Sequence, residues 1–116
     1  MDVVDFWVRS WTSDDLAAAR RVLSPHVEVE WNLDAPVDDE ELLQVLHRIA
    51  VFADHVALTA RTDALDGAAL IYDLTAPFGS ARLAEFLAVE DEKIVEIRHV
   101  YDVTAIDRYF PGLYAN

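Results

Sequence analysis

Residues 93–102 read KIVEIRHVYD, and the reading of this stretch decides the fold. As a strand, it places Val95, Ile97, His99, Tyr101 and Val103 on one face and Ile94, Glu96, Arg98, Val100 and Asp102 on the other, because side chains alternate across the pleat. The first face is apolar apart from its histidine. An ionisable ring aimed at a core needs a partner or a task.

Working outward, three more runs read as strands: 55–64 (HVALTARTDA), 68–76 (AALIYDLTA) and 80–90 (SARLAEFLAVE). Short turns at LDG, PFG and DE join them to one another and to 93–103, which predicts an antiparallel meander. A further strand, HVEVEWNL at 26–33, alternates Val27, Val29 and Trp31 with Glu28, Glu30 and Asn32. Three helices complete the order. The first, over 2–11, carries Val3, Val4, Trp7 and Trp11 at helical spacing. The second is expected to open with Thr12 or Ser13 as N-cap, so that Asp14 and Asp15 sit in its first turn, where the helix dipole favours acids. The third lies within APVDDEELLQVLHRIAVFA and puts Leu42, Val45, Leu46 and Ile49 on one face. Helices segregated from a curved antiparallel sheet make an α+β fold, the sheet wrapping around the three helices of the N-terminal half with a pocket between. With three Gly, four Pro and no internal repeat, residues 1–116 are expected to form a single domain.

Turn positions predict register. If Phe78-Gly79 is the tip of one hairpin, Asp73 faces Ala84 and Tyr72 faces Glu85; if Asp91-Glu92 is the tip of the next, Ala84 faces His99 and Glu85 faces Arg98. Asp73, Ala84 and His99 then form one row, on a face shared with Ile71, Phe86, Ala88, Ile97 and Tyr101 that suits a cavity wall. Asp73 and His99 flank Ala84 with Cβ atoms about 10 Å apart, and alanine leaves them room to approach. A carboxylate beside an imidazole suits proton transfer, with His99 as acid or base and Asp73 orienting it. The opposite row, Tyr72, Glu85 and Arg98, is expected on the outer face. There Tyr72, Leu74, Leu83, Leu87 and Val100 offer too much apolar surface for water and suggest a homodimer interface.

The order of elements, the closing motif KIVEIRHVYDV and the segment after it ending in FPGLY resemble the nuclear transport factor 2-like superfamily over nearly the whole chain, most specifically in its last third. The nearest types are SnoaL-like polyketide cyclases, limonene epoxide hydrolase and ketosteroid isomerase. The resemblance implies a cystatin-like cone whose internal pocket takes a small organic molecule. In the hydrolase and the cyclases the position matching His99 holds a catalytic aspartate, and in the hydrolase the position matching Asp73 holds another. The arginine that the hydrolase places two residues before that second aspartate is Ile71 here, so its Asp-Arg-Asp triad cannot be assembled. The oxyanion-hole tyrosine of the isomerase corresponds to Trp7 and its general-base aspartate falls close to Trp31. The resemblance thus implies a pocket in the usual place with changed chemistry.

Composition narrows the function classes. Nine basic against 22 acidic residues give a formal charge of −13, which repels nucleic acid phosphates and anionic membrane surfaces. No apolar run approaches the roughly 20 residues of a membrane helix, and the acidic MDVVDFWVRS lacks the basic start of a signal peptide. Cysteine is absent, which fits a cytoplasmic protein and removes thiolate chemistry. The four histidines lack metal-motif spacing, and DDEE at 38–41 reads as a helix start, so neither metal nor cofactor is expected. The expected site is His99 and Asp73 as the catalytic pair, with Trp7, Trp31, Ile71, Phe86, Ile97 and Tyr101 lining a pocket for an apolar ligand. The alternative is a non-catalytic binding or dimeric module, in which His99 is a satisfied core histidine and the tryptophans fill the core.

Overall fold

The computed structural model describes residues 2–32 and 37–114. Helix α1 (Val3–Thr12) starts where the Asp2 carboxylate accepts a hydrogen bond from the Asp5 amide at 3.1 Å, and it buries Val3, Val4, Trp7, Val8 and Trp11 on one face. Thr12 and Ser13 do not open the second helix. Their hydroxyls turn back onto the carbonyls of Val8, Arg9 and Ser10 and so finish α1. Asp14 then takes a positive φ of 61°, and Asp15 becomes the N-cap of α2 (Leu16–Arg21), accepting from the Ala18 amide at 3.1 Å. Strand β1 (Leu23–Trp31) follows, then α3 (Asp39–Phe52), capped by Asp38, which accepts from the Glu41 amide at 2.8 Å. Of the stretch expected to hold α3, Ala35 and Pro36 lie outside the described residues, as does Leu33 of the expected first strand.

Strands β2 (His55–Ala64), β3 (Gly67–Ala76), β4 (Gly79–Glu90) and β5 (Lys93–Tyr101) form the expected antiparallel meander. Strand β1 adds to it in parallel along β5, giving the order β1-β5-β4-β3-β2 and setting Val29 beside Ile97 and Trp31 beside His99. A fourth helix, α4 (Val103–Tyr109), capped by Asp102, takes up Val103, the expected last residue of β5. Gly79 is a point of close approach: an added Cβ would lie 2.2 Å from the Tyr109 ring, so α4 docks on the β3–β4 turn only because that residue has no side chain. One cluster of buried apolar side chains runs from Val3 to Leu113 and fills the space between the helices and one face of the sheet. This is an α+β fold with a curved, unclosed sheet.

Register departs from expectation at two points. The β3–β4 tip is Pro77-Phe78, because Ala76 pairs with Gly79, and Asp73 therefore faces Arg82 instead of Ala84. That slip of two residues keeps every side chain on its own face. The β4–β5 tip is Asp91-Glu92 as expected, both residues at positive φ in the manner of a tight hairpin turn. Past the tip, however, Val89 pairs with Ile94 and Ala88 with Glu96, so Val95 is an extra residue in a β-bulge. An odd slip exchanges faces. From there on Glu85, not Ala84, stands opposite His99.

The consequence for the two faces is general. Tyr72, Leu74, Leu83, Glu85 and Leu87, expected outside, point at the helices and are buried. Asp73, Ile71 and Phe86, expected to line a cavity, lie on the outer face, with Ile71 and Phe86 among the exposed apolar residues. No helix among the described residues is long and apolar enough to cross a membrane.

Candidate functional site

Four elements bring polar atoms together inside the core. From β5, His99 points at the helices and is 1% exposed; its Nε2 lies 2.8 Å from Oε2 of Glu85, the cross-strand neighbour on β4. Glu85 is fully buried. Its other oxygen, Oε1, accepts from the Tyr72 hydroxyl of β3 at 2.8 Å and from the Trp7 indole N–H of α1 at 3.1 Å. An indole N–H can only donate, so Oε1 takes two donors and Oε2 is the oxygen left to the imidazole. The second imidazole nitrogen, Nδ1, points away from the carboxylate. It lies 3.1 Å from the Tyr114 hydroxyl.

A buried carboxylate needs its lone pairs satisfied, and three donors on two oxygens meet that need. Burial, then the neighbouring charge of Glu85, pushes the Tyr72 phenol well above its ordinary value. Burial and then Tyr101 and Glu85 do the same for Tyr114. Both hydroxyls are therefore hydrogen-bonding groups that keep their protons. Beside this network Trp11 packs edge-on against Tyr72 at 5.0 Å, its buried indole N–H without a hydrogen-bond partner among the described residues.

The aromatic residues divide into two groups. Trp7 and Trp11 are fully buried and belong to the network and the core. Trp31 and Tyr101 sit at the far end of β1 and β5, where Tyr114 lies between them: its ring stacks on Tyr101 at 4.0 Å and 12°, and meets Trp31 edge-on at 5.1 Å. The Tyr101 amide is held by the Asn32 side-chain oxygen at 2.9 Å, which fixes this end of β5 to the end of β1.

Of the expected site residues, His99, Ile97, Tyr101, Trp7 and Trp31 therefore lie on the inner side, and His99 is the one that joins the polar network together with Trp7. Asp73 does not reach His99. It pairs with Arg82 at 3.1 Å on the outer face, because the Val95 bulge separates the two faces on which the residues stand. Ile71 and Phe86 line no inner wall for the same reason. Among the described residues, a cavity of about 310 Å³ is lined by the expected Phe86 and His99 together with Arg98 and Val100, on the outer side of the sheet. The residues missed were Glu85, Tyr72 and Tyr114. A signal for Glu85 was present, since Ala81, Leu83, Leu87 and Val89 share its parity and make it the one charged member of an apolar stripe.

No group of three or more His, Asp or Glu side chains with metal-binding geometry occurs among the described residues. No family model and no curated protein sequence matches the chain. Solved structures do. A steroid delta-isomerase from Pseudomonas aeruginosa superposes with a TM-score of 0.78 at 11% identity, covering 96% of this chain and 85% of that one. A cystatin-like protein from Silicibacter pomeroyi gives 0.81 at 9% identity, covering 98% and 84%. A de novo designed protein of the nuclear transport factor 2 fold gives 0.71 at 19% identity, covering 98% and 92%. The chain has the nuclear transport factor 2-like fold.

Proposed function

We propose that this chain, as a single cytoplasmic domain, binds a small, mostly apolar organic ligand at the Trp31–Tyr101 end of the sheet and moves a proton on it with the His99–Glu85 pair. The observation that carries the reading is the one-sided imidazole: Nε2 is committed to a fully buried carboxylate, which leaves Nδ1 facing the aromatic end. A carboxylate that fixes one ring nitrogen as N–H makes the other a base, and it stabilises the imidazolium formed when that base takes a proton. Trp7 and Tyr72 hold Glu85 in place by occupying its second oxygen. Nδ1 takes a proton from an acidic C–H or O–H of the ligand and returns it to another atom, so isomerisation and cyclisation need no further reagent and hydration needs only water. The superposition on a steroid delta-isomerase supports this class of chemistry without specifying the substrate.

The test uses ketone probes with exchangeable α-hydrogens. With 2-tetralone in deuterated buffer, the protein is expected to accelerate exchange, and His99→Gln to reduce the acceleration by about 10²–10⁴-fold with an unchanged circular dichroism spectrum. Equal exchange by the two proteins removes the acid–base role. The second reading, a binding module without catalysis, is favoured by the completeness of the Glu85 hydrogen bonds and the tight packing around them. It predicts ligand binding with no exchange in either protein.

Assembly as a homodimer through the outer sheet face is part of the proposal, on different residues from those first expected. Ile71, Ala84 and Val100 align across β3, β4 and β5, and Phe86 lies one row away; Ile71, Phe86 and Val100 are each 40–45% exposed. Arg98, bonded to Glu30 at 3.1 Å and to Glu96, and Arg82 with Asp73 rim the patch with both signs of charge, as a self-complementary contact requires. Phe86→Glu is expected to convert a dimer to a monomer in sedimentation. A wild-type monomer at high concentration overturns this part.

A further inference from the structure

After α4 the chain makes a tight turn, in which the Leu113 amide donates to the Phe110 carbonyl at 3.1 Å. Pro111 and Gly112 are its central residues, Gly112 at φ 78°, a pairing suited to a type II turn. Phe110 and Leu113 are buried, and Arg48 donates to the Leu113 carbonyl at 3.0 Å, so the turn is anchored on both sides. Beyond the anchor stands Tyr114. It is half-buried, and it presents to the site a flat ring against Tyr101 and Trp31 and one hydroxyl to His99 Nδ1.

We propose that Tyr114 is a built-in occupant of the ligand site, a plug that closes it until a free planar aromatic molecule bearing a phenolic or enolic hydroxyl takes its place. The inference rests on the reading of His99 as the acting group and adds its gate and its ligand class. Two features argue for a plug over a permanent core residue. Tyr114 is less buried than the two residues that anchor its segment. Its hydroxyl meets the nitrogen that Glu85 leaves free, whereas the other buried phenol, Tyr72, is tied to the carboxylate itself. Ligand class follows from the vacated slot. Stacking against Tyr101 and Trp31 selects a flat ring. Nδ1, with Nε2–H committed to Glu85, is left as an acceptor, so the ring must bring an O–H donor or leave a buried nitrogen unpaired.

A plug lowers apparent affinity by the fraction of molecules that are open, so removing it tightens binding by the inverse of that fraction. The experiment compares the full chain with Tyr114→Ala and Tyr114→Phe. Diethyl pyrocarbonate labelling, read residue by residue by mass spectrometry, follows access to His99, with the exposed His26, His47 and His55 as references in the same molecule. Fluorescence titration with 2-naphthol follows binding. In Tyr114→Ala, His99 is expected to label about tenfold faster or more with the references unchanged, and 2-naphthol to bind about 10–100-fold more tightly. Tyr114→Phe, which keeps the ring and loses the hydroxyl, is expected to fall between. Equal His99 labelling in all three proteins overturns the plug, whatever the ligand. Faster labelling with no 2-naphthol binding overturns the aromatic ligand class. Tighter 2-naphthol binding with no gain in 2-tetralone exchange over solvent supports the plug and counts against proton transfer, so the two readings fail separately.

Discussion

The two faces of the sheet carry the same chemistry in opposite settings. On the inner face His99 and Glu85 meet at 2.8 Å with both side chains fully buried; on the outer face Arg82 and Asp73 meet at 3.1 Å with side chains 79% and 37% exposed. Both join a base on one strand to a carboxylate on its neighbour. The outer pair sits in water, which screens it and solvates each partner when they part, so it contributes about 0–1 kcal/mol. The inner pair has no such refuge. Each partner is left with an unsatisfied buried group when the other is removed, which costs about 3–5 kcal/mol. The contrast teaches that the distance between charges says little until their solvent is known.

The strongest way to break the comparison is to delete Arg98, a paired residue of β5. Without it, either His99 turns outward or Ile97 is turned out and Glu96 driven into the core, and the loss is expected to reach a large part of the roughly 5–15 kcal/mol that holds a domain of this kind together. Absence of a cooperative thermal transition checks it; a stable, folded deletion variant would mean that the alternation of faces does not hold the sheet on its helices. Next comes Glu85→Leu, which strands the Trp7 indole, the Tyr72 hydroxyl and His99 Nε2 together. A loss of about 3–5 kcal/mol is expected in urea unfolding, and a loss under 1 kcal/mol would show the network to be dispensable.

A smaller effect separates the faces by pH. The Tyr72 and Tyr114 phenols have folded pKa values above the unfolded value of 10.0. Their contribution is fully present below pH 10 and is lost as pH rises beyond it, because the unfolded chain releases protons that the folded one retains. Stability is expected to fall by about 1.4 kcal/mol per pH unit per retained proton above pH 10. Urea midpoints between pH 9 and 11 measure this, and Tyr72→Phe should flatten the slope. Last, Arg82→Ala on the outer face is expected to change stability by less than about 1 kcal/mol, less still in high salt. A larger loss would give the outer pair a structural role that its exposure denies.

The sequence made the element order legible because each helix and strand carried its own periodicity. Val3, Val4, Trp7 and Trp11 share one helix face as their spacing requires, and Ile97, His99 and Tyr101 share one strand face. Which face of the neighbouring strand they met was not legible. Val95 is apolar and β-branched and fits the alternation as well as Ile94 does, so nothing in KIVEIRH marks the extra residue. That one position exchanges the faces, setting Glu85 and not Ala84 opposite His99, while the Pro77-Phe78 tip sets Asp73 opposite Arg82. Of the apolar residues expected on the outer face, Tyr72, Leu74, Leu83 and Leu87 are buried against the helices, and Val100 stays outside, 42% exposed. Tyr114 was invisible for another reason: a loop residue has no period, and its place is set by a turn whose anchors, Phe110 and Leu113, act through distant packing.

The parallel seam between β1 and β5 also has a bearing on how the chain reaches this state. It joins residues 23–31 to residues 94–99 and closes the longest loop in the sheet. Such a contact forms late, after the local hairpins, because its entropy must be overcome before it yields any gain. During synthesis β1 therefore waits until residues 94–99 have been made. A ribosome stalled before β5 would hold a chain with an open strand edge and an apolar surface to shield, the stage at which a chaperone has most to bind.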